Sequence, residues 1–199
     1  GNITTHTVFA ERHRDGGWLG EARRFGEGVA ILVGDLAFVY GDMMMTGASP
    51  AAWGIWNELR IELRDLQVLD IMGSVRSERS RRRAEQICRY KCGKYTIERP
   101  LHLSAVLAGP DRAAELLPAL SAYGLPLGDA FQMRDDVMGA FGDPAVTGKP
   151  VGGDLREGKP TPLMARAVER ADGVQAGVLA LVGRPDLTDE QVSQVQQVI

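Results

Sequence analysis

The chain has 199 residues and a net charge of −3 at pH 7, with 44% hydrophobic and 25% charged residues. This composition is ordinary for a globular protein, and the length is enough for one domain with a substantial core. Because basic residues are not in excess, overall charge does not favour binding to nucleic acid or to an anionic membrane. Any recognition of an anion must therefore come from a local cluster.

Apolar residues recur at steps of three and four along most of the chain, and this period predicts an all-α protein. The predicted helices cover residues 21–45, 53–73, 78–99, 100–108, 111–140, 160–182 and 188–198. No uninterrupted apolar run is long enough to span a bilayer. Segment 28–45 is the longest apolar-rich stretch, and Asp35 and Asp42 interrupt it, so we expect it to form a buried helix.

Two further patterns have simple interpretations. Cys88 and Cys92 lie four residues apart with no other Cys or His nearby to complete a zinc site, which favours free thiols in a reducing cytoplasm. The stretch RSERSRRR, residues 76–83, holds five arginines at helical spacing. Such runs usually form a solvated helix face, so we expect no nucleic-acid partner.

The segment from Phe131 to Phe141 places two adjacent carboxylates on a largely apolar helix. Residues Gln132, Asp135, Asp136 and Gly139 are spaced i, i+3, i+4 and i+7, so they share one face. An unpaired buried carboxylate is costly. These acids are therefore expected to line a wet cavity or to hold a cation.

The next segment, GDPAVTGKPVGGDLREGK at residues 142–159, is rich in glycine and proline and is expected to form a mobile flap. It carries Lys149, Asp154, Arg156 and Lys159. Lysines and aspartates that meet at one cavity suit a polyanion such as diphosphate, because Mg²⁺ prefers oxygen ligands and often bridges carboxylates to phosphate oxygens. This pattern predicts a magnesium and diphosphate site.

Two other polar pairs lie on predicted helices. Lys91 and Tyr95 are four residues apart, and Gln67 and Asp70 are three apart. Each pair alone is typical of an exposed helix surface. Together with the acids, they are expected to line a central cavity of the helical bundle.

At this point the sequence resembles the trans-isoprenyl diphosphate synthases, which include geranylgeranyl and farnesyl diphosphate synthases. The stretch GDAFQMRDDVMGAFGDPAVTGKPVGGDLREGKPTPL resembles the second aspartate-rich motif and flap of that family. CRYKCGKYTIERPLHL, LQVLD and FGEGVAILVGDLAFVYGD resemble family helices in the expected order. The resemblance implies an isoprenoid-synthase helical bundle with a central prenyl pocket, as a single domain over residues 1–199.

The resemblance also implies roles for particular residues. Asp135 resembles a magnesium ligand, and Asp136 its bridging or outer neighbour. The lysines that hold the allylic diphosphate are matched by Lys91, Lys149 and Lys159. Groups near the allylic carbocation are matched by Gln132 and the backbone around Lys91, whereas Gln67, Asp70 and Cys92 match substrate-organising positions.

The sequence departs from the family pattern at several positions. Gly139 stands where many members have a third aspartate, Cys92 where Thr or Ser is usual, and Leu66 where Gly is usual. GNITTH, residues 1–6, resembles the stretch that follows a first aspartate-rich motif, with Ile3 in place of Pro. The 199 residues are therefore expected to lack the N-terminal helices, with their first set of acids, and a basic C-terminal tail.

By this resemblance, the expected activity is the condensation of an allylic diphosphate with isopentenyl diphosphate by a Mg²⁺-dependent, cytoplasmic homodimer. Two alternatives remain from the sequence. One is a non-catalytic partner subunit of a prenyl diphosphate synthase, and the other is a terpene cyclase of related fold. The combination of Lys91, Lys149, Asp135 and Asp136 argues against a partner subunit, and the flap sequence favours a synthase over a cyclase.

Overall fold

The structure is a computed structural model that describes residues 4–76, 80–143, 145, 148 and 151–199. Lys149 and residues 77–79 of the arginine-rich stretch lie outside the described residues. The helices are α1 Thr5–Asp15, α2 Ala22–Met44, α3 Pro50–Val75, α4 Arg81–Cys88, the π-helix Arg89–Glu98, α5 Arg99–Ala108, α6 Pro110–Phe141, α7 Gly153–Glu157, α8 Pro162–Arg170, α9 Gly173–Leu179 and α10 Asp189–Val198. No strand occurs in the described residues, which confirms the all-α prediction. Within that same part of the chain, no helix is both long and apolar enough to cross a bilayer.

The chain's internal contacts divide it into two compact units, residues 1–48 and 49–199. In the first unit, α1 and α2 approach closely at Gly26, where a Cβ would lie 2.2 Å from the carbonyl oxygen of His6. Helix α1 has no counterpart among the sequence-predicted helices. The prediction of a buried helix over 28–45 is wrong for many apolar side chains, since Leu32 is 67% and Met44 87% exposed. Helix α1 has 11 residues and is too short to cover the 23 residues of α2.

In the second unit, α4, the π-helix and α5 follow one another without a break from Arg81 to Ala108. The π-helix packs against both α3 and α6. It meets α6 at two glycines, because a Cβ on Gly128 would lie 2.4 Å from the Cα of Gly93. A wide π turn is often found at functional positions in proteins. Here it brings the backbone around Lys91 against α6.

A charged cluster joins α3 to the π-helix and to α5. The carboxylate of Glu62 accepts hydrogen bonds from Lys94 at 2.6 Å and from Arg99 at 2.8 and 2.9 Å. Arg99 also lies 3.0 Å from Glu58. Burial alone would raise the pKa of Glu62, but the hydrogen bonds from Arg99 and Lys94 outweigh it and lower the pKa below its usual value.

Residues 151–199 form the C-terminal part of the second unit and, with Ala140 of α6, contain a contiguous apolar core. The core is built from Ala140, Leu155, Met164, Leu179, Val182, Leu187, Val192 and Val195. The predicted helix over 160–182 is divided into α8 and α9. Asp172 causes the break, because its side chain accepts from the backbone N–H groups of Val174 and Gln175 and so begins a new helix.

Candidate active site

A cleft lies where α3, α4, the π-helix and α6 meet residues 154–162. Six of the predicted site residues line it: Asp70, Lys91, Gln132, Asp135, Asp136 and Lys159. The remaining lining residues are Ala84, Ile87, Cys88, Asp154, Pro160, Thr161 and Pro162. The lining thus holds four carboxylates and two ammonium groups.

Helix α6 contributes the acids, as its spacing predicts. Asp136 is 4% exposed, and its Oδ1 accepts a hydrogen bond of 2.7 Å from the amide of Gln132. The other oxygen, Oδ2, is buried and has no hydrogen-bond partner within the described part of the chain. Burial raises the pKa of Asp136 to about 6, and the nearby charges of Asp154 and Asp135 act in the same direction, whereas the bond from Gln132 opposes them.

The amide of Gln132 is held at both ends. Its Oε1 accepts from the thiol of Cys92 at 2.7 Å, while its NH₂ group donates to Asp136. Burial raises the pKa of Cys92, so the thiol keeps the proton that it donates. The close contact of Gly93 with Gly128 permits this arrangement, because it lets the π-helix backbone reach α6 one turn before Gln132.

Both described lysines of the cleft are paired with aspartates. The ammonium of Lys91 lies 3.1 Å from Asp70 Oδ2 on α3. Lys159 pairs with Asp154 and lies 3.2 Å from Glu157. Burial alone would lower the pKa of Lys159, but these carboxylates raise it, so the ammonium stays charged. No ion pair in the described residues includes Asp135 or Asp136.

The second half of the predicted flap is anchored to the C-terminal core. Leu155 is 1% exposed and belongs to that core, and its carbonyl accepts from the N–H of Gly183 at 2.9 Å. Arg156 donates to the carbonyl of Leu187 at 2.5 Å and pairs with Asp189, so it points away from the cleft. A short helix, α7, therefore forms where the sequence predicts only a flap.

Two predicted site residues in the described part of the chain, Cys92 and Gln67, do not line the cleft; Cys92 is buried and donates to Gln132. Gln67 is exposed and is not part of the cleft lining. Lys149 lies outside the described residues, so its predicted role stays a prediction. Asp154, whose position on the flap is evident from the sequence but which carries no predicted role, is a member of the cleft. It lies against Gly139 of α6. Gly139 is four residues beyond Asp135, so it shares the helix face of the acids, and that spacing is the sequence signal for a side chain approaching there.

The residues of this cleft are suited to bind a cation and an anion together. The described residues contain no group of three Asp, Glu, His or Cys side chains arranged to hold a metal by themselves. They do provide hard oxygen donors, one of them buried without a partner, beside two ammonium groups. Such an arrangement suits a divalent cation whose remaining ligands are oxygens of a bound polyanion or water.

Comparison with known proteins agrees with this chemistry. A sequence profile of the family described as "Polyprenyl synthetase" matches residues 18–199. The chain belongs to this family. The geranylgeranyl diphosphate synthase of Mycobacterium tuberculosis is 32% identical over 153 residues, which are 74% of this chain and 43% of that protein. The geranylfarnesyl diphosphate synthase of Aeropyrum pernix is 38% identical over 103 residues, which are 52% of this chain and 31% of that protein.

The fold agrees as well. The crystal structure of geranylgeranyl pyrophosphate synthase from Corynebacterium glutamicum, complexed with isoprenyl diphosphate and magnesium, superposes with a TM-score of 0.87 and 38% identity. The match covers 98% of this chain and 57% of the other. This confirms the predicted isoprenoid-synthase bundle. The chain spans less than two thirds of the length of each of these three proteins.

Proposed function

We propose that the protein containing this chain is a trans-prenyltransferase that joins an allylic diphosphate to isopentenyl diphosphate and forms a longer prenyl diphosphate. The observation that carries the proposal is the meeting of Asp135, Asp136, Lys91 and Lys159 at one cleft. Membership of the polyprenyl synthetase family supports the same reaction. The Corynebacterium relative, which was solved with isoprenyl diphosphate and magnesium, supports the substrate class.

Magnesium fits the residues of the cleft. The unpartnered Oδ2 of Asp136 and the carboxylate of Asp135 are oxygen donors of the kind that Mg²⁺ binds. A bound cation would also offset the repulsion between the buried carboxylates, which raises the pKa of Asp136. When bound, magnesium neutralises charge on the diphosphate leaving group. We propose Asp135 and Asp136 as the residues that hold it.

The lysines would assist the same leaving group. In the proposed reaction, the C–O bond of the allylic diphosphate breaks and its electron pair leaves with the diphosphate. Lys91 and Lys159 would donate hydrogen bonds to this anion as its charge grows, in exchange for their present partners Asp70 and Asp154. Lys149 is proposed for the same role from the family resemblance.

The remaining groups would position the reacting carbons and exclude water. Gln132 is proposed to face the allylic cation with its carbonyl dipole, and Cys92 and Asp136 fix the orientation of its amide. The double bond of isopentenyl diphosphate then attacks the cation, and a proton lost to the released diphosphate restores an alkene. The protein supplies positioning and charge stabilisation, with no covalent nucleophile.

Two further properties belong to the proposal. A homodimer is implied by the family resemblance, and the exposed apolar side chains of α2 offer a surface that a second copy can cover. A cytoplasmic location is supported by Cys88 and Cys92, which are both buried free thiols. Size-exclusion chromatography with light scattering would measure the first property, and fluorescence microscopy of a tagged protein the second.

The proposed reaction can be tested on the full-length protein, including any segment before Gly1 or after Ile199. Radiolabelled isopentenyl diphosphate is incubated with dimethylallyl, geranyl or farnesyl diphosphate, in Mg²⁺ or in EDTA. We expect labelled prenyl diphosphate only when both substrates and Mg²⁺ are present. Asp135→Asn should abolish the product, whereas Asp186→Asn, which changes an exposed aspartate outside the cleft, should leave it unchanged.

Other results would identify a different function. Release of a hydrocarbon from the allylic diphosphate alone would indicate a terpene cyclase. Turnover that requires addition of a second, different chain would indicate a partner subunit. Equal product in EDTA would remove magnesium from the proposed reaction.

A further inference from the structure

Asp154, which lines the cleft, lies directly against Gly139 of α6. A Cβ built on Gly139 would lie 2.0 Å from Oδ2 of Asp154 and 2.5 Å from its Cγ. These distances are far below van der Waals contact, so even alanine at this position would displace the carboxylate. The aspartate thus occupies space that is available only because residue 139 has no side chain.

Asp154 is held in this position by its own segment. Leu155, the next residue, is buried in the C-terminal core, and the backbone N–H of Lys159 donates to the carbonyl of Asp154 at 3.1 Å. The side chain of Asp154 is 12% exposed and pairs with Lys159. Moving this carboxylate would therefore disturb the anchored half of the flap.

The same carboxylate lines the cleft with Asp135 and Asp136. Asp136 brings the buried oxygen that lacks a partner, which is the feature that indicates a cation. The helix itself offers no acid at position 139, so its own contribution to the cluster ends with two aspartates. The other two carboxylates that line the cleft are Asp70 of α3, which pairs with Lys91, and Asp154, which comes from the flap.

We propose that Asp154 is a positioning residue for the metal, bringing from the flap a further carboxylate beside Asp135 and Asp136, and that the missing side chain of Gly139 leaves the space that admits it. This inference rests on the proposed magnesium site. By this proposal the flap supplies a carboxylate as well as lysines, because a cation bound at α6 would attract the flap through Asp154. Lys159 neutralises Asp154 until a diphosphate competes for its ammonium group.

The test is isothermal titration of the full-length protein with inorganic pyrophosphate at a series of Mg²⁺ concentrations. Asp154→Asn keeps the shape of the side chain and removes its charge. We expect it to weaken the apparent Mg²⁺ affinity by roughly 10- to 100-fold, as is typical for groups that support a metal ligand. Gly139→Ala should cause a similar loss, and the double variant Gly139→Ala/Asp154→Asn should lose no more than either single variant.

A carboxylate exchange gives the sharpest result. In Gly139→Asp/Asp154→Gly the acid is moved from the flap to α6, and we expect it to recover most of the affinity that Asp154→Asn loses. Gly153→Ala is the matched control, because a Cβ on Gly153 has no atom within 4 Å, and it should bind as the wild type does. Circular dichroism of each variant confirms the helical fold.

The possible failures are distinguishable. Mg²⁺ affinity of Asp154→Asn within twofold of wild type would overturn the inference and leave the proposed function intact. Failure of the exchange variant to recover any affinity, with its fold intact, would also overturn the supporting role of the Asp154 carboxylate. Absence of Mg²⁺-dependent pyrophosphate binding in the wild type would instead overturn the proposed function itself.

Discussion

Two charged clusters each join α3 to the π-helix, and they differ in how their charges are balanced. Around Glu62, one carboxylate receives Lys94 and Arg99, and Glu58 adds a second acid, so each of these four side chains has a charged partner. In the cleft, four carboxylates face two ammonium groups, and Asp136 keeps a buried oxygen without a partner. The first cluster ties α3 to the π-helix and α5, whereas in the proposed function a bound cation would balance the second.

The largest expected effect comes from removing a metal-holding acid. Asp135→Ala should lower kcat of the full-length protein by at least about 10²-fold, since removal of one preorganised electrostatic group at a developing charge typically costs that much. Its stability should change little, because Asp135 takes part in no ion pair in the described structure. Steady-state kinetics measure the expected loss of kcat, and urea unfolding measures the free energy of unfolding, which should be unchanged. A stable variant with wild-type kcat would exclude Asp135 from the reaction.

Disruption of the cluster around Glu62 should instead lower the stability of the protein. Glu62→Gln leaves Lys94 and Arg99 without their main acceptor, and loss of one partner in a buried pair costs several kcal/mol. We expect a loss of about 2 kcal/mol in the free energy of unfolding, reduced because Glu58 still pairs with Arg99. Urea unfolding measures it, with Glu85→Gln in the exposed Arg81 pair as the control. Equal stability of both variants would show that the cluster is no structural tie.

The pH dependence of stability follows from the same cluster. The pKa of Glu62 is lowered in the folded protein, so its contribution is complete above the usual value of 4.5 and is lost as the pH falls through the lower, folded value. We expect the wild type to lose stability relative to Glu62→Gln over that acid range. Urea unfolding of both proteins from pH 7 to pH 3 would show the difference, and parallel curves would contradict it.

A smaller effect is expected at Cys92. Cys92→Ala removes the thiol that fixes the amide of Gln132, and a neutral hydrogen bond contributes about 1 kcal/mol. We expect roughly fivefold lower kcat/KM, since 1.4 kcal/mol corresponds to a factor of ten. Cys92→Ser keeps a donor and should stay near the wild type. Identical kinetics of the alanine and serine variants would show that the thiol does not orient Gln132.

Helical spacing in the sequence predicts which residues of α6 lie in the cleft. The spacing of Gln132, Asp135 and Asp136 places them on one face of a helix, and the structure brings all three to the cleft. This succeeds because the period of a helix is a property of one segment. Gln67 and Asp70 are both expected to line the cavity, but the structure brings Asp70 to the cleft and leaves Gln67 exposed. Sequence spacing alone does not say how a helix is turned towards its neighbours.

Contacts between distant segments were beyond prediction from the sequence. Asp154 meets Gly139 only because Leu155 anchors the flap in a core formed by later helices. The π-helix likewise meets α6 where Gly93 contacts Gly128, and neither glycine indicates a wider turn by itself. The break at Asp172, by contrast, carries a local signal, a capping aspartate three residues before Gln175, that the apolar period obscured.

Thermal unfolding of the full-length wild type, Asp136→Asn and Glu62→Gln at pH 8 tests the contrast between the two clusters most directly. Each protein is measured in EDTA and in Mg²⁺ plus pyrophosphate. In EDTA we expect Asp136→Asn to exceed the wild type in stability by about 2 kcal/mol, because it removes a buried charge without a cation partner. Glu62→Gln should be less stable than the wild type. Mg²⁺ plus pyrophosphate should raise the Tm of the wild type and of Glu62→Gln equally, and that of Asp136→Asn little. An Asp136→Asn protein that is less stable in EDTA and gains as much from Mg²⁺ would contradict a cation site at Asp136.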